Sequence, residues 1–182
     1  MVTRSMKHFF ITGLPRSRTA WWANLMSTGE AFCTHEPGLT IDEWLTKYRP
    51  QETGRWPRYL GNSDGTLLAT WREVQEAFPE APWLVLLRPK DEAREATRVR
   101  FTEWGLETGH LDERFDELEQ MLAELRAHGA NLTELEWDAG NGQVLEAARY
   151  LAPQLTGLHP ARIELLTKLN VQAKLPEWID AH

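Results

Sequence analysis

Apolar residues run along this chain in two rhythms, short continuous runs and longer stripes of helical period. The runs predict buried strands. His8–Thr12, carrying Phe9, Phe10 and Ile11, is stopped by Gly13 and Pro15. Phe32 and Cys33 open a second, which breaks at His35-Glu36-Pro37-Gly38. Trp83–Leu87 is the clearest, set between Pro82 and Arg88-Pro89. Leu132–Trp137 alternates and reads as another, with Trp83 and Trp137 assigned to the core. The stripes predict helices over Ala20–Ser27, from Thr40 or Asp42 to Tyr48, and over Thr66–Phe78, Lys90–Trp104 and Val144–Leu151. Leu111, Phe115, Leu118, Leu122 and Leu125 mark one face of a further helix ending near Gly129. Pro160–Leu169 and Pro176–Ala181 read as two short helices. Arg49–Asn62, rich in Pro, Gly and Arg, reads as a long surface loop. Its Arg49, Arg55, Trp56 and Arg58 make it a candidate lid over an acceptor.

Strands that alternate with helices predict an α/β fold. The expected architecture is a three-layer α/β/α sandwich with a central parallel sheet and ligands at the carboxyl ends of the strands. A length of 182 residues suits a single domain, 1–182. Its core is expected over 7–153, with a C-terminal helical extension over 154–182.

Composition narrows the function. The net charge of −7 argues against general binding of nucleic acid or an anionic membrane, which need excess Lys and Arg. It leaves room for a small polyanion held by local arginines. One cysteine excludes a disulfide framework and a multi-cysteine zinc site. The histidines show no H-x3-H or H-E-x-x-H spacing, so no metal site is expected. Cys33 reads as a small buried apolar residue. No targeting segment is evident, and no apolar run approaches the ~18 residues of a membrane span. A cytoplasmic protein is expected.

The strongest chemical signal is Phe9-Phe10-Ile11-Thr12-Gly13-Leu14-Pro15-Arg16-Ser17-Arg18-Thr19-Ala20-Trp21. A strand enters a Gly/Pro turn, then a basic and hydroxyl cluster, then a helix start. Backbone N–H groups at a helix N-terminus attract phosphate. Ser17 and Thr19 add hydroxyl donors, and guanidinium groups at Arg16 and Arg18 can grip oxygens two at a time. The ATPase pattern G-x-x-x-x-G-K-[ST] is not met. Arg18 stands at its second Gly, Thr19 at its Lys and Ala20 at its Ser/Thr.

Gly13-x-Pro15-Arg16-Ser17-x-Thr19-x-Trp21 resembles the sulfate-donor loop of the PAPS-dependent sulfotransferases, G-x-P-[RK]-S-G-T-[ST], with Arg18 in place of the family's Gly. A P-loop nucleoside triphosphate hydrolase-like fold follows from the resemblance. So does a loop, Gly13 to Trp21 with Pro15 and Ala20 included, that holds the donor's 5′-phosphosulfate. The resemblance puts the Arg16 side chain on the bridging oxygen and Trp21 near the adenine. Trp83-Leu84-Val85-Leu86-Leu87-Arg88-Pro89-Lys90-Asp91 is similar to the family strand whose terminal Arg binds the 3′-phosphate of PAPS or PAP. Arg88 is the match. Ala96 stands where the family has Ser, so Thr97, or the charge of Arg94 or Arg98, is the substitute. Leu132–Asp138 and the helix after it resemble the family's late Y-E-D-L segment. The likeness thus spans Lys7 to Pro153.

Transfer of a sulfuryl group to a hydroxyl or amine needs a base for the acceptor proton. His35 and Glu36 follow the second strand and are the candidates; neutral His suits pH 7, whereas Glu needs desolvation. The expected function is sulfate transfer from PAPS to a small-molecule acceptor without a metal. Two alternatives stand beside it. One is an ATP- and magnesium-dependent phosphotransferase using Asp64, which otherwise reads as sitting at another strand end or as a helix cap, the cap being favoured. The other is a non-catalytic relative that binds an anion or a partner. The acidic face over 111–127 reads as solvated.

Overall fold

The computed structural model describes residues 6–48 and 57–169. Among the described residues, five strands and seven helices follow one another as β1 (Lys7–Gly13), α1 (Thr19–Met26), β2 (Ala31–His35), α2 (Ile41–Lys47), β3 (Tyr59–Ser63), α3 (Leu67–Ala77), β4 (Trp83–Leu87), α4 (Lys90–Glu103), α5 (Leu111–His128), β5 (Leu132–Glu136), α6 (Asn141–Leu151) and α7 (Pro160–Leu169). Every strand pair is parallel, and the order across the sheet is β2-β3-β1-β4-β5. The architecture is α/β/α, as the alternation of elements predicts.

The side-chain period of two splits the apolar residues between the two faces of the sheet. Phe9, Ile11, Leu84 and Leu86 join one core cluster with α1, α6 and α7. Phe10, Leu60, Trp83 and Val85 join the other, with α2, α3, α4 and α5. The central strands are thus apolar on both sides, which is why they read as continuous runs rather than alternating ones. Helix α7 packs against α1, burying Ile163. There Arg162 Nη2 donates to the carbonyls of Asn24 and Ser27, at 2.8 and 3.0 Å.

The main departure from the sequence reading is β3. Tyr59–Asn62 lies inside the stretch read as a loop and Ser63 just past it, yet the strand is fully buried between β2 and β1. Its Tyr-Leu-Gly-Asn-Ser composition masks it. Gly61 is there for space: a Cβ at that position would sit 2.1 Å from the Phe9 ring. Asn62 and Ser63 are polar but bonded. The Thr34 hydroxyl donates to Asn62 Oδ1 (3.0 Å) and accepts from Trp44 Nε1 (3.0 Å), tying β2, β3 and α2 together.

Candidate anion and proton-transfer site

Strand β1 has β3 on one side and β4 on the other, so the chain reverses its direction of sheet growth at β1. Parallel sheets open a crevice at the carboxyl end of such a strand. The loop from Gly13 to Thr19 lies there. Gly13 is needed for close strand packing, because a Cβ would meet the Leu86 carbonyl oxygen at 2.6 Å. Helix α1 then begins with no side-chain cap and no acidic residue in its first turn. Its first N–H groups and positive dipole end face the loop without a carboxylate to neutralise them.

The loop has an unusual backbone. Arg16 and Arg18 both have positive φ, 66° and 67°. Each such residue costs about 1–2 kcal/mol unless it is glycine. Arg18 therefore adopts the conformation that glycine favours, even though it stands where the resemblance has glycine. Ser17, between the two, is completely buried, and its hydroxyl has no hydrogen-bond partner. A buried hydroxyl without a partner is uncommon, and its hydrogen-bonding capacity is unused within the chain, as is that of Thr12 on β1. Pro15 and Ala20 are half-buried; Thr19 is buried and Arg16 exposed.

Arg88 follows β4 and joins this cluster. Its Nη1 donates to the Arg16 carbonyl. Burial and the charges of Arg16 and Arg18 lower its pKa, opposed by Glu92. Glu92 Oε2 stands 4.0 Å from Arg88 Nε, the one ion pair of Arg88 among the described residues. The charges of Arg16, Arg18 and Arg88 thus act on one another at one corner, a setting suited to a polyanion.

The ring at this corner is Trp137. It follows β5, half-buried, with its backbone N–H on the Leu87 carbonyl at 2.8 Å. Arg88 Cζ stands 4.1 Å from the ring centre and Arg18 Cζ 5.1 Å. The expectation was Trp137 in the core and Trp21 at the ligand; instead Trp137 lies outside the core clusters beside Arg88 and Arg18, and Trp21 is buried. Trp21 is only 7% exposed, edge-on to Trp22 inside a core cluster.

Other expected ligands turn away. Thr97 is buried, and its hydroxyl donates to the Ala93 carbonyl one turn back in α4, so it does not face the site. Arg94 pairs with Asp91 and Asp112, and Arg98 with Glu95 and Asp112. The acidic residues over 111–127 lie largely exposed and also pair with cations, Asp116 and Glu119 with Lys90 and Glu124 with Arg72. Arg58 lies at the amino end of β3, 4.0 Å from Glu30, at the opposite edge from the loop. Arg49, Arg55 and Trp56 lie outside the described residues, as does Pro176–Ala181. Cys33 is fully buried, and burial raises its thiol well above the usual range, which fits a core residue.

His35 and Glu36 were expected beside the loop because β2 follows β1 in sequence. Strand β3 intervenes, and Ser63 supplies the link. The Ser63 hydroxyl donates to the Thr19 carbonyl (2.8 Å), and its own carbonyl lies 2.8 Å from His35 Nδ1. A carbonyl only accepts, so Nδ1 carries the proton and Nε2 of the neutral ring is the basic atom. Glu36 Oε1 is 3.6 Å from Nε2, exposed, on a residue with φ 44°. Asp64 is buried; its Oδ1 accepts from Thr66 N at 2.7 Å, the capping role the sequence favours. Ser63 escaped the sequence reading because β3 did. No group of acidic, histidine or cysteine side chains suited to a metal occurs among the described residues. Nor, among them, is any helix long and apolar enough to cross a membrane.

A sulfotransferase from Alicyclobacillus acidocaldarius has a similar solved structure, at TM-score 0.51 and 14% identity, covering 80% of this chain and 78% of that one. The chain has a sulfotransferase-like fold. No protein-family model matches it, and neither does any curated protein sequence. The β1–α1 loop and His35 lie at the carboxyl ends of neighbouring strands of this sheet, joined through Ser63.

Proposed function

We propose that the protein binds PAPS or PAP at the β1–α1 loop and passes a sulfuryl group to a small hydroxyl or amine acceptor. One observation carries this reading: an uncapped helix N-terminus, a buried hydroxyl without a partner at Ser17, and Arg16, Arg18 and Arg88 all converge at the switch point of the sheet. These are donors for phosphate and sulfate oxygens, and they suit a doubly phosphorylated ligand better than a single carboxylate. The fold likeness to a sulfotransferase supports it.

The bound donor supplies a sulfuryl group whose sulfur–oxygen bond to phosphate breaks as the acceptor oxygen or nitrogen bonds to sulfur. The chain's residues do the rest. Loop N–H groups, Ser17 and Arg18 orient the 5′ end. Arg16 meets the charge that grows on the departing phosphate. Arg88 keeps its charge at the corner for the remaining phosphate. His35 Nε2 takes the acceptor's proton, and Glu36 supplies counter-charge to the imidazolium so formed.

Calorimetric titration with PAP tests the reading. Micromolar binding is expected, weakened in Arg16→Ala and Arg88→Ala. No binding at millimolar PAP would overturn the donor assignment. A product carrying label from sulfur-labelled PAPS is the positive result for transfer.

A further inference from the structure

The phosphate loop keeps two arginines at positive φ, and a chain of contacts holds each of them. Strand register sets Glu136 beside Leu87. The next residues, Trp137 and Arg88, are therefore neighbours, and the Trp137 N–H on the Leu87 carbonyl fixes the turn. Arg88 lies against the ring and donates to the Arg16 carbonyl. Arg18 lies against the same ring. Among the described residues Arg18 has no ion pair.

We propose that Trp137 is the positioning residue of the anion site, a ring that holds Arg18 and Arg88 in place and thereby fixes the loop in its left-handed conformation. An aromatic ring suits this task for an electrostatic reason. Converging guanidinium groups repel one another and need a negative surface to rest on. A carboxylate would provide it but would also cancel the charge that an incoming anion needs. The face of an indole attracts cations through its quadrupole and leaves their net charge intact. The ring also explains how Arg can stand where glycine is easier. The stacked guanidinium offsets part of the backbone strain at Arg18, so residues 18 and 137 depend on each other.

The anion part of this inference rests on the proposed donor site; the loop-holding part does not, and two readouts keep them apart. The first is affinity for PAP and for inorganic pyrophosphate in Trp137→Leu, Trp137→Phe and Arg88→Ala. Trp137→Leu is expected to weaken both ligands about 10-fold, with Trp137→Phe restoring most of the loss. Combined with Arg88→Ala, Trp137→Leu should cost clearly less than it does alone, since part of its effect passes through that side chain. Full additivity, or no rescue by Phe, overturns the positioning role.

The second readout is thermal melting of Arg18→Gly in the wild-type and Trp137→Leu backgrounds, with no ligand present. In the wild type the glycine relieves strain but loses the stack. Without the indole it only relieves strain, so it should raise the midpoint more there. An equal shift in both backgrounds overturns the coupling. Trp137→Gln replaces Trp137→Leu in both experiments if the leucine variant does not fold. If the wild type binds neither anion, the donor reading fails, and the melting comparison alone decides whether Trp137 holds the loop.

Discussion

Arg88 donates from Nη1 to the backbone carbonyl of Arg16, joining two segments that lie 72 residues apart in the chain. The contact makes Arg88 a brace for the loop, beside the charge it would bring to the proposed anion site. These roles separate by substitution. Arg88→Lys keeps the charge but loses the planar fork that can hold the carbonyl and a ligand oxygen at once. PAP affinity is expected to fall about 10-fold in Arg88→Lys and up to about 100-fold in Arg88→Ala. Calorimetry measures both; a lysine variant equal to wild type would show that charge alone matters.

His35 offers a test of chemistry apart from binding. His35→Gln is expected to lower sulfate transfer by a factor of about 100 or more while leaving PAP affinity unchanged. The pair of assays is a single-turnover rate and a PAP titration. Equal losses in both would place His35 in donor binding instead. Ser63→Ala, which removes the hydroxyl bond to Thr19 but not the carbonyl that orients His35, should change PAP affinity more than the chemical step.

Gly13 tests the geometry of the sheet edge. A Cβ in Gly13→Ala would collide with the Leu86 carbonyl, so β1 and β4 must part. A loss of about 1–3 kcal/mol in urea unfolding is expected, together with loss of anion binding. Gly109→Ala, where a Cβ meets nothing within 4 Å, should be nearly silent and serves as the control.

His8 gives the fold a pH dependence. Its ring lies 4.4 Å from Phe78, and burial lowers its pKa below the ordinary 6.5. The folded protein favours the neutral ring, and the unfolded chain binds the proton more readily. The contribution is fully present above pH 6.5 and is lost as pH falls toward the lowered value. His8→Phe should flatten that part of the stability curve relative to wild type. Urea midpoints at pH 7.5 and 5.5 measure it; an equal fall in both proteins would assign the slope to other groups.

Much of the fold and the loop itself can be read from the residues, because both rest on local patterns. Trp83–Leu87 is an unbroken apolar run, and Gly13–Thr19 packs turn, charge and hydroxyl into one segment. What escaped depends on neighbours distant in sequence. Gly61 and Asn62 look like loop residues until the Phe9 ring and the Thr34 hydroxyl are placed beside them. Trp137 looks like core because its strand alternates; only the register with Leu87 puts it against Arg88. Thr97 has the right spacing for a ligand, but its face of α4 is turned inward. His35 is near the site for a reason its sequence neighbours do not hold, namely the carbonyl of Ser63.

The strand order has a consequence during synthesis. Strand β1 emerges first, carrying Phe9, Phe10 and Ile11, yet both of its partners are made much later. Neither α1 nor β2 can satisfy its hydrogen bonds in the meantime. The nascent chain therefore carries an unpaired apolar strand until β3 has left the ribosome, and long-range pairing of this kind is slow and prone to aggregation. The strand that leads into the Gly13–Thr19 loop is thus an aggregation-prone segment of the growing chain.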